Sequence, residues 1–199
     1  MNEASPTSFT AFAGTRLLAS GSLAEVAIVV KMASGSNILD PIVIFDDATG
    51  RSIDLDLRGT HRDIIARLPQ TPAPDEPPAP EPRGRGRPKL GVVAREVTLL
   101  PRHWEWLNAR PGGASVALRK LVEDARRANG DRDRQRAARD AAYHVMSTMA
   151  GDMPGFEEAS RALFAGDRGK FAGLIADWPA DVRDHIVKLA FRDQAEPPV

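Results

Sequence analysis

The 199-residue sequence has no cysteine, no net charge and only 6% aromatic residues. The absence of cysteine excludes disulfides, thiolate metal sites and cysteine nucleophiles, and it is typical of a reducing compartment. The most apolar stretch, residues 23–33, is interrupted by Glu25 and Lys31 and is too short to span a bilayer. The first residues lack the basic and apolar regions of a signal peptide. These absences together predict a cytoplasmic protein.

The zero net charge conceals an uneven distribution of charge along the chain. Residues 83–130 carry a net charge of +7, whereas residues 1–68, 69–82 and 131–199 carry −2, −3 and −2. Positive charge concentrated in one segment indicates a polyanionic partner more strongly than total charge does.

The first segment, residues 1–68, predicts a small α+β domain of order ββαββα with one sheet face packed on helices. Gly14 and Thr15 separate two apolar runs, as in a hairpin. Residues 51–58, RSIDLDLR, alternate apolar and charged side chains, which is the period of a strand. Ser22 and Thr60 are the predicted caps of the two helices.

Three further segments follow. Residues 69–88 contain eight prolines, so residues 69–91 predict an extended linker. Residues 92–130 predict a strand and two helices, the first opened by Pro101 and the second capped by Ser115. Residues 131–199 predict a mainly helical region with an apolar core formed by Phe171, Leu174, Ile175, Trp178, Val182, Ile186 and Leu189. The predicted fold class is α+β.

Basic side chains alternate with glycine and proline in residues 83–91, RGRGRPKLG. This stretch resembles the AT-hook, a peptide that binds the minor groove of DNA, and the resemblance implies contact with A·T-rich DNA. A narrow A·T minor groove attracts inserted arginine, and glycine approaches the groove floor without a Cβ clash. A nonspecific polyanion contact and a plain basic linker are the alternatives. The core of the motif is Arg85, Gly86, Arg87 and Pro88, flanked by Arg83 and Lys89.

The strand–helix–helix order of residues 92–128 resembles the ribbon-helix-helix fold. In that family two chains pair their strands into a ribbon that enters the major groove, and the second helix holds a backbone phosphate at its N-terminus. The resemblance implies a homodimer in which Arg95 faces DNA and Ser115, Arg119 and Lys120 contact phosphates or bases.

Two features of the strand depart from the ribbon-helix-helix pattern. The DNA-reading face offers one polar side chain, Arg95, beside Val97 and Leu99, and the opposite face would bury Glu96 and Thr98. The alternative is a strand that packs a helical hairpin onto the rest of the chain.

Four aspartates near the end of the first segment form a candidate metal site. Asp54 and Asp56 alternate on the second strand, and if Asp46 or Asp47 approached Asp54 across a hairpin, their oxygens would suit Mg²⁺ or Ca²⁺. The spacing matches neither an EF-hand nor a Walker element, and the alternative is a solvent-facing strand edge with an Asx-type turn. The four histidines (61, 103, 144 and 185) lack zinc-site spacing, and no nucleophile motif is present. The sequence therefore predicts no enzyme, no metal and no cofactor.

Nearly the whole chain resembles an uncharacterised bacterial family, a domain of unknown function, and this resemblance implies a shared layout without an activity. Taken together, the sequence predicts a non-enzymatic, cytoplasmic, dimeric DNA-binding protein. The alternatives are a protein–protein adaptor with a basic proline-rich tether, and a metal-dependent enzyme at the acidic hairpin. The resemblance depends on the stretches TAFAGTRLLASG, FDDATGRSIDLDLRG, GRPKLGVVAREVTLLPRHWEWLNARPGGASVALRKLVEDAR and ALFAGDRGKFAGLIADWPADVRDHI.

Overall fold

The computed structural model describes residues 8–36, 39–69, 93 and 95–192. It confirms a mixed α+β fold in which a sheet is followed by a mainly helical region. None of the helices within these ranges is both long enough and apolar enough to cross a membrane. The elements are β1 (Phe9–Ala13), β2 (Arg16–Gly21), α1 (Leu23–Gly35), β3 (Ile42–Asp46), β4 (Arg51–Ile53), α2 (His61–Arg67), α3 (Pro101–Asn108), α4 (Gly113–Ala150), α5 (Phe156–Ala165), α6 (Arg168–Leu174) and α7 (Ala180–Phe191).

The strands form one antiparallel sheet of order β2-β1-β3-β4. The predicted hairpin is present, and Gly14 turns it with a φ of +55°. The predicted fourth strand is shorter than expected, because pairing with β3 ends at Ile53. Leu55 and Leu57 nevertheless pack against the apolar cluster beneath α1, so the alternation correctly predicts which side chains are covered.

Both helix caps predicted within residues 1–68 are confirmed. Ser22 accepts a hydrogen bond from the backbone of Glu25, whose side chain accepts one from the Ser22 backbone. Thr60 and Asp63 make the same reciprocal pair at α2. Each arrangement satisfies amide donors that the first turn of a helix leaves unpaired.

Helices and apolar residues cover both faces of the sheet, which corrects the prediction of one covered face. Ala11 and Ile44 pack with Val26 and Val30 of α1 on the first face. On the second face, Phe12 and Phe45 belong to the core formed by α4, α5, α6 and α7. This core contains all seven apolar residues predicted for residues 171–189, with Leu174 partly buried.

Among the described residues, those between 8 and 69 and those from 131 to 192 form one compact unit, and residues 93 and 95–130 belong to a second one. The sequence predicts residues 1–68 and 131–199 as separate segments. In the structure, Phe12 and Phe45 of the first segment share a core with Trp178 and Ile186 of the last one. The backbone amide of Leu17 also donates to Asp181 Oδ2 at 2.8 Å.

A single helix, α4, replaces the two helices predicted on either side of residue 130. A glycine in a helix costs about 1 kcal/mol relative to alanine, so Gly130 is tolerated. On either side of Gly130, charged side chains three residues apart form ion pairs along the helix. Arg126 lies 3.5 Å from Glu123, and Arg134 lies close to Asp131. Residues up to 130 belong to the second unit and later residues to the first.

The β3–β4 turn lies directly on the backbone of α4. Asp46 closes the turn by accepting a hydrogen bond of 2.8 Å from the Ala48 amide. Gly50 is buried with a φ of +66°, and a Cβ atom there would lie 1.9 Å from the carbonyl oxygen of Ala141. Only glycine allows this approach, because it has no Cβ and adopts positive φ at little cost.

Candidate functional site

The residues predicted to contact DNA are divided between described and undescribed parts of the chain. Arg83, Arg85, Gly86, Arg87, Pro88 and Lys89 lie outside the described residues. The other four are exposed to solvent: Arg95, Ser115, Arg119 and Lys120. The structure brings two of them together, since Arg119 Nε donates to the Ser115 carbonyl at 3.1 Å.

Two local predictions for this segment need correction. Helix α4 begins at Gly113, so Ser115 lies in its first turn and does not cap it. Gly112 and Gly113 both have positive φ, and the chain turns at these two residues as the helix begins. The predicted strand, residues 92–100, carries no regular secondary structure over residues 95–100 of this single chain. An isolated strand has no neighbour to accept its backbone hydrogen bonds.

The α3–α4 hairpin buries little apolar surface. Among residues 93 and 95–130, only Leu107 is buried. Two short packed helices rarely bury enough surface to be stable alone. The large apolar side chains that this segment leaves exposed are Val93, Val97, Leu100, Trp104, Trp106, Val116, Leu121 and Val122.

Trp106 and Leu121 border two clefts of this hairpin. The larger has a volume of about 410 Å³ and includes Lys120 and Arg110. The Arg110 guanidinium lies 3.9 Å from the centre of the Trp106 ring, as in a cation–π pair. The smaller, of about 250 Å³, includes Leu99 and Leu118. The hairpin therefore combines an apolar surface with adjacent basic side chains.

The four aspartates of the acidic hairpin have separate roles. Asp46 closes a turn, and Asp54 is exposed. Asp56 Oδ1 lies 2.8 Å from Arg58 Nε, and the hydrogen bonds from the Arg58 side chain and backbone lower the pKa of Asp56. Nowhere in the described part of the chain do three or more His, Cys, Asp or Glu side chains gather closely enough to hold a metal ion.

Asp47, the remaining acid, is buried and forms a polar connection between the sheet and α7. Its Oδ2 accepts hydrogen bonds from Ser8 Oγ at 2.6 Å and from Thr10 Oγ1 at 3.0 Å. Its Oδ1 lies 3.5 Å from His185 Nε2, and neither atom has a hydrogen-bond partner among the described residues. His185 also packs edge-on against Phe12 at 5.4 Å between ring centres.

Burial lowers the pKa of His185, and nearby Lys188 acts in the same direction. The Asp47 carboxyl group opposes the shift without cancelling it, so the imidazole is neutral near pH 7. A separation of 3.5 Å is also long for a hydrogen bond. Because both side chains are buried, a substrate has no access to them, and we interpret the pair as structural.

Comparison with known proteins identifies the family of this chain, and the description of that family gives no activity. The match covers residues 8–190, which includes the sheet, the proline-rich residues 69–88 and almost all of the helical residues described above. No curated protein and no solved structure is significantly similar to the chain. This match confirms the whole-chain resemblance seen in the sequence, and the chain belongs to DUF2239, a family of uncharacterized proteins conserved in bacteria.

Proposed function

We propose that this protein binds A·T-rich DNA as a cytoplasmic homodimer and catalyses no reaction. The observation that carries the proposal is the position of the Arg-Gly-Arg-Pro arm, residues 83–89, a few residues before a helical hairpin with exposed apolar side chains. A short basic peptide binds DNA weakly alone, and dimerisation through the hairpin would present two of them.

The first turns of α4 offer further contacts for a phosphate backbone. Ser115, Arg119 and Lys120 are accessible within about two turns of the helix N-terminus. The amides of a helix N-terminus favour an anion, and basic side chains beside it add charge-assisted hydrogen bonds. Arg95, also exposed, would supply the one polar contact of the preceding strand once two chains pair.

A second copy of the hairpin is the partner that suits its apolar surface. Residues 95–100 have no strand partner among the described residues, and Val97 and Leu100 are exposed there. Pairing two such segments would satisfy the backbone hydrogen bonds of both. A two-fold arrangement would also bring the Trp106–Leu121 surface against its equivalent.

The DNA proposal predicts that Arg85→Ala/Arg87→Ala weakens binding to an A·T-rich duplex at least tenfold, because the loss of each groove contact costs about 1–3 kcal/mol of binding free energy. Fluorescence anisotropy against A·T-rich and G·C-rich duplexes across a salt series measures this effect. Affinity of the wild type should fall steeply with salt, because phosphate contacts release counterions.

The matched control for this double variant is Arg161→Ala/Arg192→Ala, which removes two exposed arginines elsewhere and makes the same change in net charge. It should bind as the wild type does. If the protein bound both duplexes equally and Arg85→Ala/Arg87→Ala did not change this affinity, the DNA contact would instead lie in residues 95–120. No binding at low salt would refute the proposal and favour the adaptor.

The dimer proposal predicts that Leu121→Asp raises the dimer dissociation constant about 100-fold or more, because a buried unpaired charge costs about 3–5 kcal/mol. Leu121 borders both clefts and is 46% exposed in the single chain, so the substitution places a charge on the proposed contact. Sedimentation equilibrium measures the change. Met32→Asp on α1, where Met32 is 62% exposed, is the control and should leave the dimer unchanged. A wild type that is monomeric at all concentrations would contradict the prediction.

A further inference from the structure

A polar pocket of about 370 Å³ opens where the β3–β4 turn meets the C-terminal half of α4. All its residues belong to the first compact unit, and none is among the predicted DNA contacts. Its volume is in the range of small-molecule sites. Besides Gly50, the lining consists of Arg51, Ser52, Tyr143, His144, Ser147 and Thr148.

Among the described residues, the lining contains one guanidinium group and no carboxyl group. Of the two acids at the β3–β4 turn, Asp46 accepts hydrogen bonds from the Ala48 amide and the Thr49 hydroxyl, and Asp47 accepts them from the Ser8 and Thr10 hydroxyls. A concave site with one positive side chain and several hydroxyl groups favours an anion over a cation or a neutral ligand.

Several hydrogen-bond donors in the pocket are available to a ligand. Within the described residues, no hydrogen bond or ion pair involves the Arg51 guanidinium or the hydroxyl groups of Ser52 and Ser147. Arg51 offers five N–H donors in a planar fork that suits the oxygens of a phosphate or carboxylate. Since three separate side chains can donate, a tetrahedral oxyanion is better matched than a planar one.

The remaining polar groups of the pocket are oriented by α4 itself. Thr148 Oγ1 donates to the His144 carbonyl at 3.0 Å. His144 Nδ1 lies 2.9 Å from the Asp140 carbonyl, which can only accept, so Nδ1 carries a proton and Nε2 is left for the ligand. The Tyr143 ring packs 5.3 Å from Phe164, centre to centre, and gives the pocket an aromatic wall.

The two sides of the pocket are held at a fixed separation. Gly50 is buried against the Ala141 carbonyl, and Arg51 and Ser52 follow it directly in β4. His144 and Ser147 lie about one and two turns beyond Ala141 on α4. A site built on a strand and a helix that already touch needs little reorganisation to bind.

We propose that this pocket binds the phosphate group of a small phosphorylated metabolite. Arg51 pairs with the phosphate oxygens, Ser52 and Ser147 donate to them, and the organic part of the ligand lies against Tyr143. A bare phosphate ion would leave much of the 370 Å³ unfilled, which is why the proposal specifies a phosphate ester.

Isothermal titration calorimetry with ribose 5-phosphate, ribose and inorganic phosphate, at ionic strength matched with KCl, tests the proposal. Ribose 5-phosphate should bind with one site per chain and more tightly than inorganic phosphate, whereas ribose should not bind. Arg51→Ala should weaken binding at least tenfold, since a hydrogen bond to a charged group contributes about 1.5–3 kcal/mol. Ser147→Ala should weaken it by a smaller factor.

Two control variants distinguish this pocket from other basic parts of the chain. Arg16→Ala removes an exposed arginine from β2 and should bind ribose 5-phosphate normally. Arg85→Ala/Arg87→Ala should also bind it normally, which keeps the test independent of DNA binding. The proposal would be overturned if neither inorganic phosphate nor ribose 5-phosphate bound. It would also be overturned if Arg51→Ala bound ribose 5-phosphate as tightly as the wild type does.

Discussion

Replacement of Gly50 by alanine is expected to lower the free energy of unfolding by about 3 kcal/mol or more, because two costs add at this position. The first is backbone strain, since a φ of +66° places an alanine in the left-handed region. The second is a clash, because the new Cβ would lie 1.9 Å from the Ala141 carbonyl oxygen. The Cβ and the carbonyl are both fixed by backbone, so no side-chain rotation relieves the contact.

Urea unfolding followed by circular dichroism measures this loss, and Gly35→Ala is the matched control. Gly35 is the last residue of α1, and a Cβ there would meet nothing within 4 Å. Alanine should therefore leave stability unchanged or raise it by up to about 1 kcal/mol. A Gly50→Ala variant as stable as the wild type would show that the turn and α4 are not in close contact in solution.

Asp47→Ala is expected to destabilise the protein by about 3 kcal/mol, the second large effect. The substitution removes the acceptor of the Ser8 hydroxyl and the charged acceptor of the buried Thr10 hydroxyl, which keeps only Ser20 Oγ at 3.1 Å. It also removes the group that faces His185. Urea unfolding measures the loss.

The matched control is Asp54→Ala, which removes an exposed aspartate from the same acidic hairpin. It should change the free energy of unfolding by less than about 0.5 kcal/mol, because an exposed side chain away from buried contacts contributes little. Equal losses from Asp47→Ala and Asp54→Ala would contradict the structural role of the buried carboxyl group.

The same buried pair predicts a pH dependence of stability. The unfolded chain protonates a histidine at about pH 6.5, whereas burial lowers the pKa of His185 in the folded protein. As pH falls below about 6.5, the unfolded state binds a proton that the folded state does not, and stability decreases. The contribution of His185 to the slope is at most about 1.4 kcal/mol per pH unit.

Urea midpoints measured between pH 5 and pH 8 test the pH dependence. His185→Gln should flatten the curve below about pH 6.5, and His61→Gln, which replaces an exposed histidine, should leave its shape unchanged. A wild-type curve that rises toward acid pH, or one that His185→Gln does not alter, would contradict the neutral state of the buried ring.

Local patterns predicted most of the secondary structure. The capping pairs at Ser22 and Thr60 marked helix starts correctly, since the physical interaction that forms each cap spans three residues. The apolar spacing of residues 171–189 likewise predicted the C-terminal core. Gly130 misled the prediction of α4, because a single glycine weakens a helix without ending it.

Long-range packing could not be predicted in the same way. Nothing near Phe12 or Phe45 in sequence indicates that helices beyond residue 131 cover them. Asp46 and Asp47 are adjacent and chemically identical, and only the distant partners Ser8, Thr10 and His185 distinguish them. One signal was available, because His185 lies on the same helical stripe as Val182, Ile186 and Leu189.

The shared core of residues 1–69 and 131–199 has a consequence for the protein during its synthesis. Ribosomes add about 5–20 residues per second, so roughly 5 to 20 s separate the emergence of the basic arm from that of α7. Throughout that interval the face bearing Phe12 and Phe45 lacks the full set of helices that covers it. A chain interrupted within residues 70–130 keeps this face exposed permanently, and we expect chaperones and proteases to recognise it.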